Sequence, residues 1–424
     1  MRGYKFHYGF VILAVGVLVV AGSLGFDRFS YGMILPSMQA SLNLNATEIG
    51  IIASGNMFGY LLAALIAGLM ASKYGPRLVI GASMLIIGVA MAITSLANSV
   101  LSLVLLRFIT GVASAGGNIS VMGLTASWFS SKRRGMANGV LVGGSGIAVA
   151  VSGWLVPFVN RNFPEMGWRY NWFIIGIIVI IFGLISISFI RNHPKEKDLE
   201  PLGGRGQYKE LSLQTKKDFS IKDVFSTSSG RILALIYFCF GVSYIIYTMF
   251  FVSYLVGEKG ITELFAGNIW SSVGLLSIGS AVFWGSLSDM FGRGPTLFII
   301  FVLQTISYLL PVITSSTSFI WLSAILFGLT AWSIPAIVSS YCGDIVGPKN
   351  APAILGVITV FFGLGQVIGP IAAGYIKELS QSYTGAFFVA SSLACIGGIS
   401  ALWSSNIEKQ SPSIGDKLHN QNQS

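Results

Sequence analysis

Two stretches of this 424-residue chain, Gly68-Leu-Met-Ala-Ser72-Lys-Tyr-Gly75-Pro-Arg77 and Gly285-Ser-Leu-Ser-Asp289-Met-Phe-Gly292-Arg293, share the spacing Gly-x6-Gly at an offset of 217 residues. The same offset carries Gly111 onto Gly328, Gly139 onto Gly356 and Gly146 onto Gly363. A single shift that aligns four separate regions marks an internal duplication. Near the start of each copy, Gly25 to Tyr31 recurs as Gly241 to Tyr247 at an offset of 216, so one residue has slipped before the second apolar run.

The solvent of this duplicated chain follows from its composition. Of its residues 53% are hydrophobic and 10% charged, against roughly 25% charged in an average soluble domain. Apolar runs long enough to cross about 30 Å of hydrocarbon as helices recur along almost the whole length. Their punctuation predicts spans at 10–36, 46–71, 77–97, 100–129, 135–158 and 168–190, then 230–256, 265–290, 295–314, 317–344, 350–378 and 383–405. The fold expected is therefore an all-α membrane protein of twelve helices in two six-helix repeats. Arg2 and Lys5 ahead of Phe10 to Phe26 resemble a secretory signal, but no small-x-small cleavage pattern follows. The apolar character runs on to Leu35 and is expected to end near Pro36, which makes this an uncleaved first span.

The halves are expected at 1–191 and 230–406, joined by a polar linker at 192–229 broken by Pro201, Gly203, Gly204 and Gly206, with a polar tail at 407–424. With both termini inside, 20 of the 26 Lys and Arg residues fall in cytoplasmic segments and 4 on the opposite face, while Arg28 and Arg107 lie within spans. That asymmetry predicts a plasma or bacterial inner membrane with both termini cytoplasmic. It also explains the net charge of +10 by contact with anionic lipid, without a nucleic-acid partner. Trp168, Tyr170 and Trp172 are expected to anchor the outer edge of span six at the interface. Two parallel six-helix halves are what a transporter with halves related by an axis along the membrane normal requires, and such a protein is complete as a monomer.

The two Gly-x6-Gly segments resemble the loop motif of the major facilitator superfamily, and the likeness covers both halves. Arg107-Phe-Ile-Thr-Gly111 is similar to the family's span-four motif, and Lys132-Arg133-Arg134-Gly135 to its basic four-to-five loop. The resemblance implies alternating access and assigns Gly68, Gly75, Arg77, Gly285, Asp289, Gly292 and Arg293 to gating. Ser72 stands where the family usually has Asp. Gly365-x3-Gly369-Pro370-x3-Gly374 is similar to an antiporter motif but lies in span eleven, so it gives no ground for antiport over symport. Asp27-Arg28-Phe29-Ser30-Tyr31-Gly32 looks most like the YbfB/YjiJ group and, more loosely, like monocarboxylate and oxalate/formate carriers.

Charge inside a bilayer is costly, about 2.5 to 3.5 kcal/mol per group, so ionisable residues in spans point to function. Asp27, Arg28 and Arg107 are the ones well inside. Neighbours on a helix point about 100° apart, so Asp27 and Arg28 need separate partners. One reading pairs Asp27 with Arg107 and leaves Arg28 as a planar clamp for a carboxylate. Span four carries a polar stripe of Arg107, Gly111, Ser114 and Asn118 at i, i+4, i+7 and i+11, in which helix packing accounts for Gly111 and Ser114 as well as ligand contact does. Span seven carries an aromatic stripe from Phe240 through Tyr244 and Tyr247 to Tyr254, again open between packing and a cavity wall. The expected substrate-binding set is Arg28, Tyr31, Asn118, Tyr244, Tyr247 and Gln366, with Asp27 and Arg107 as an ion pair that could carry a proton.

The expected activity is secondary transport of a small organic anion, with protons as a candidate coupling ion. The alternative is proton-coupled efflux of an amphipathic or neutral compound across the aromatic face. Cys239, Cys342 and Cys395 are isolated, as are His7, His193 and His419, and no Gly-x4-Gly-Lys-Ser/Thr loop is present. The expectation is a protein that is neither an enzyme nor an ATP-driven pump, with no metal and no cofactor.

Overall fold

The computed structural model describes residues 7–204 and 228–410. They form helices joined by short turns, with one isolated β-bridge between Phe129 and Leu202. We label the helices α1 (Gly9–Leu42), α2 (Ala46–Tyr74), α3 (Pro76–Thr94), α4 (Val100–Trp128), α5 (Ser131–Asn162) and α6 (Gly167–Phe189). They continue with α7 (Ser228–Gly257), α8 (Glu263–Ser277 and Ser280–Phe291), α9 (Arg293–Ile313), α10 (Thr317–Thr330), α11 (Ser333–Ser380) and α12 (Thr384–Gln410). Among the described residues ten stretches are long and apolar enough to cross a bilayer, and two bent pairs raise the number to twelve when each pair is one span. The bends are 55° between Ala64 and Ile66 in α2 and 45° between Ser277 and Ser280 in α8.

The sequence specifies the helix starts locally. Asn45 accepts from the Glu48 backbone N–H at 2.8 Å while the Glu48 carboxylate accepts from the Asn45 N–H at 2.9 Å, a reciprocal cap at the head of α2. Pro76 begins α3, where its missing N–H costs nothing. Between α2 and α3 Gly75 has φ +85°, and between α8 and α9 Gly292 has φ +91°. Residues matched by the 217 offset thus make the same left-handed joint, one that a side chain would strain.

The outer surface is what lipid demands. Leu69, Leu78, Leu101, Phe158 and Ile399 are each at least 60% exposed, a density of bare apolar groups that a soluble monomer does not carry.

Two expectations are corrected. Helix α1 passes through Pro36 and stops at Asn43, whose φ of 50° is the left-handed conformation asparagine tolerates. The spans expected at 317–344 and 350–378 are met by Thr317–Ile345 and Ile354–Ser380, with helical backbone continuing between them. Trp168 and Trp172 are 1% and 0% exposed, so they face the protein interior and only Tyr170 is out at the surface. An indole at the rim of a span and one that caps a buried charge look alike in one sequence.

Contacts group the chain into two units, one drawn from Met1–Lys209 and Thr248–Gly279, the other from Glu210–Tyr247 and Ser280–Ser424. Inside the first, α5 and the first segment of α8 cross backbone to backbone. A Cβ on Gly153 would meet the Gly267 carbonyl oxygen at 2.4 Å, and one on Gly267 the Gly153 oxygen at 2.2 Å. Ser271 Oγ adds a bond to the Ala150 carbonyl at 2.8 Å, a small-residue seam of the type membrane helices use.

Candidate functional site

The site begins in the middle of α1, where Ala21–Phe29 is π-helical. A π-turn inserts an extra residue per turn and takes side chains out of α-helical register, a departure found mostly at functional positions. Asp27 and Arg28 sit on this segment, and both are turned inward: Asp27 is 0% exposed and Arg28 4%.

The two go to different partners. Arg107 on α4 donates from Nη1 to Asp27 Oδ1 at 3.1 Å and to the Asp27 carbonyl oxygen at 2.6 Å. The other carboxylate oxygen, Oδ2, accepts from Asn56 Nδ2 at 2.8 Å, and Asn56 also reaches Thr110 Oγ1 at 2.9 Å. The Arg107 Cζ lies 5.2 Å from the Tyr31 ring centre and 5.5 Å from that of Trp172. A buried pair of this kind balances two desolvation costs rather than adding much stability.

Arg28 has no ion pair among the described residues. Its Cζ lies 4.6 Å from the centre of the Tyr60 ring, and Nε and Nη2 are buried with no hydrogen-bond partner among the described residues. The Tyr60 hydroxyl in turn accepts from Asn118 Nδ2 at 3.0 Å. With Asp27 and Arg107 cancelling, this cluster keeps one uncompensated positive charge.

The stripe on α4 divides along its length. Gly111 is a packing position, since a Cβ there would stand 2.0 Å from the Asn56 carbonyl oxygen. Ser114 donates to the Ser23 carbonyl on α1. Asn118 and Arg107 face polar groups of α2 and α1. Asn56, Tyr60 and Thr110 are not among the expected binding set, because the apolar stretches around them read as ordinary span. The available signal was that Asn56 and Tyr60 stand four apart on α2, hence on one helical face.

Tyr31 is placed beneath Arg107, with its hydroxyl on the Ile49 carbonyl at 3.1 Å, and so is not brought together with Arg28. At the offset of 216 the counterparts of Arg28 and Tyr31 are Tyr244 and Tyr247. Both are buried in the second unit. Tyr244 accepts from Gln366 Nε2 and stacks with Phe240 and Phe362, ring centres 4.7 Å and 5.7 Å away. Tyr247 instead meets Ser323 Oγ at 2.8 Å and the rings of Tyr308 and Phe327. The two tyrosines therefore occupy separate surroundings, and the charge of the site lies in the first half alone.

The loop motifs also differ between copies. In the second, Arg293 bonds Asp289, Asp344 Oδ2 at 2.8 Å and Ser288 Oγ at 2.7 Å. At the offset of 217 the two acids become Ser72 and Ser127. Ser72 Oγ turns back to the Gly68 carbonyl at 3.0 Å, while Arg77 holds the end of α6 through Ile187 O at 2.8 Å. Gly68 and Gly285 have nothing within 4 Å of a built Cβ, so neither packs tightly against a neighbouring helix. Gly75 and Gly292 are required by their positive φ.

Residues 19–402 match the family described as "Uncharacterised MFS-type transporter YbfB". The chain belongs to this family. This transporter is 23% identical over 403 residues to the hexuronate transporter of Bacillus subtilis (strain 168), covering 91% of this chain and 92% of that one. It is 24% identical over 407 residues to the probable sulfoacetate transporter SauU of Cupriavidus necator, with 89% of each covered. It is 26% identical to the high-affinity nitrate transporter 2.3 of Oryza sativa subsp. japonica over 390 residues, 87% of this chain and 73% of that one. Its fold is that of a bacterial homolog of the human lysosomal transporter Spinster, with a TM-score of 0.76, 16% identity, and 97% and 100% of the two chains covered. The nucleoside transporter NupG gives 0.71 at 13% identity, covering 94% of this chain and 99% of that one. The protein is a multi-pass major facilitator transporter and not an enzyme.

Proposed function

We propose that this transporter carries a small organic anion whose carboxylate is held by Arg28. The observation that carries the reading is a buried guanidinium with no counter-ion among the described residues and with its Nε and Nη2 unspent. Those two N–H groups lie along one edge of the planar group and point the same way, the geometry that donates to both oxygens of a carboxylate. The Tyr60 ring, 4.6 Å from the Arg28 Cζ, braces the guanidinium, so less freedom is lost when an anion docks. The relatives named for hexuronate, sulfoacetate and nitrate support an anionic substrate.

Coupling to protons is assigned to Asp27. One proton on its carboxylate cancels the attraction that holds Arg107 and lets the centre of α1 move relative to α4. We assign the chain to the plasma or inner membrane with both termini cytoplasmic and to a monomer; the basic asymmetry of the sequence and the two-half plan support this reading. The gating motif acts through the Asp289, Arg293 and Asp344 cluster at the α8–α9 joint.

The test is a thermal-shift panel of carboxylates, sugars, amino acids and cationic dyes on the purified protein, followed by proteoliposome uptake of the stabilising compound. Carboxylate-selective stabilisation that is lost in Arg28→Ala and weakened in Arg28→Lys supports the reading. Selective stabilisation by cationic dyes, or undiminished anion uptake in both variants, refutes it.

A further inference from the structure

We propose that the transported anion bears a hydroxyl group near its carboxylate, and that Asn118, set in place by Tyr60, selects for it. This rests on the carboxylate reading of Arg28 and narrows it to hydroxy acids.

Two residues of the site hang on one aromatic ring. The face of Tyr60 carries the Arg28 guanidinium at 4.6 Å, and its hydroxyl carries Asn118 at 3.0 Å. A tyrosine ring is rigid, so the anion-binding edge and the amide are held at a fixed separation. Arg28 supplies donors only. Asn118 supplies something else: its Oδ1 is buried and accepts no hydrogen bond from any described residue.

A carboxamide has an accepting end and a donating end, and the Tyr60 hydroxyl occupies one of them. Turned over, the amide would accept from Tyr60 and leave its NH2 end over; in either orientation one end is unmatched. A hydroxyl both gives and receives a hydrogen bond, so it serves whichever end faces it. In the orientation the structure shows, with Oδ1 left over, the oxygens of a bare carboxylate, sulfonate or nitrate only receive, and their negative charge is repelled by the amide oxygen. A polar group left unmatched where water is excluded weakens binding, and sites that hydrogen-bond a substrate hydroxyl reject the analogue without it far more strongly than apolar pockets discriminate by size.

The experiment uses matched pairs that differ by hydroxyls alone, lactate against propionate and tartrate against succinate, on the full-length protein in detergent. The readout is the concentration giving half-maximal thermal stabilisation. Wild type is expected to favour the hydroxylated member of at least one pair by about tenfold or more. Asn118→Ala brings that pair within about twofold by weakening the hydroxy acid, and Tyr60→Phe does the same while keeping the ring beneath Arg28. If Asn118→Ala does not survive purification, the wild-type ratio and Tyr60→Phe decide. Equal response to both members in wild type, abolished by Arg28→Gln, overturns this inference and leaves the carboxylate reading standing. A preference that persists in Tyr60→Phe and Asn118→Ala also overturns it. No response to any of the four acids removes both readings.

Discussion

Gly111 on α4 faces the backbone of Asn56 on α2 so closely that a Cβ would stand 2.0 Å from the Asn56 carbonyl oxygen, 2.8 Å from its carbon and 3.0 Å from its Cα. The obstacle is main chain, which cannot rotate away. Any side chain at 111 must therefore push α2 outward, carrying Asn56 from Asp27 and Tyr60 from Arg28. Gly111→Ala is expected to cost about 1–3 kcal/mol of stability, as overpacking does, and to abolish anion binding. Gly68→Ala, with nothing within 4 Å, should change stability by no more than about 0.5 kcal/mol. Thermal unfolding of the two variants beside wild type checks the pair.

The Asp27–Arg107 bridge makes a prediction about charge balance. Removing one partner strands a charge that is wholly buried, at a cost of about 3–5 kcal/mol, whereas removing both leaves a neutral polar contact. Arg107→Gln alone is expected to lower the melting temperature far more than Asp27→Asn combined with Arg107→Gln. If the double variant melts no higher than the single one, the bridge is not what sets the stability of this region.

Much of this was legible in the chain. Composition and apolar run length fix the membrane class, and the glycine offset anticipates the matched left-handed joints at Gly75 and Gly292. The ion pair and the leftover Arg28 follow from counting intramembrane charges, because so few are tolerated. What stayed hidden depends on which way neutral side chains turn. The apolar stretch around Asn56 and Tyr60 reads as ordinary span. Trp172 reads as an interfacial anchor until Arg107 is found over its face. The π-helical register of Ala21–Phe29 has no periodic signature in nine residues, yet it decides where Asp27 and Arg28 point.

The joints between α2 and α3 and between α8 and α9 should respond differently to salt. Arg293 is held by two carboxylates that are 67% and 47% exposed, Asp289 and Asp344. Exposed pairs contribute at most about 1 kcal/mol and are screened within about 3 Å at 1 M salt. Arg293→Gln is expected to lower stability slightly in dilute buffer and by less in 1 M salt, where the carboxylate contacts are screened and only the bond to Ser288 Oγ remains. Arg77 bonds a backbone carbonyl, so the small loss in Arg77→Gln should persist at both salt concentrations. Equal salt dependence in the two variants would count against a charged latch confined to the second copy.

The proton coupling proposed for Asp27 is separable from the anion binding proposed for Arg28, because the two side chains leave the π-helical turn toward different helices. Asparagine at position 27 mimics a permanently protonated carboxylate and can still accept from Asn56. Although it strands the Arg107 charge and so melts lower than wild type, Asp27→Asn is expected to keep binding the stabilising acid and to exchange labelled for unlabelled acid across a proteoliposome membrane. It should lose accumulation driven by an imposed pH gradient, since no proton can be taken up or released there. Arg28→Gln should do the opposite and lose binding and exchange together. The assignment fails if gradient-driven accumulation survives in Asp27→Asn, because the proton would then be carried by another group.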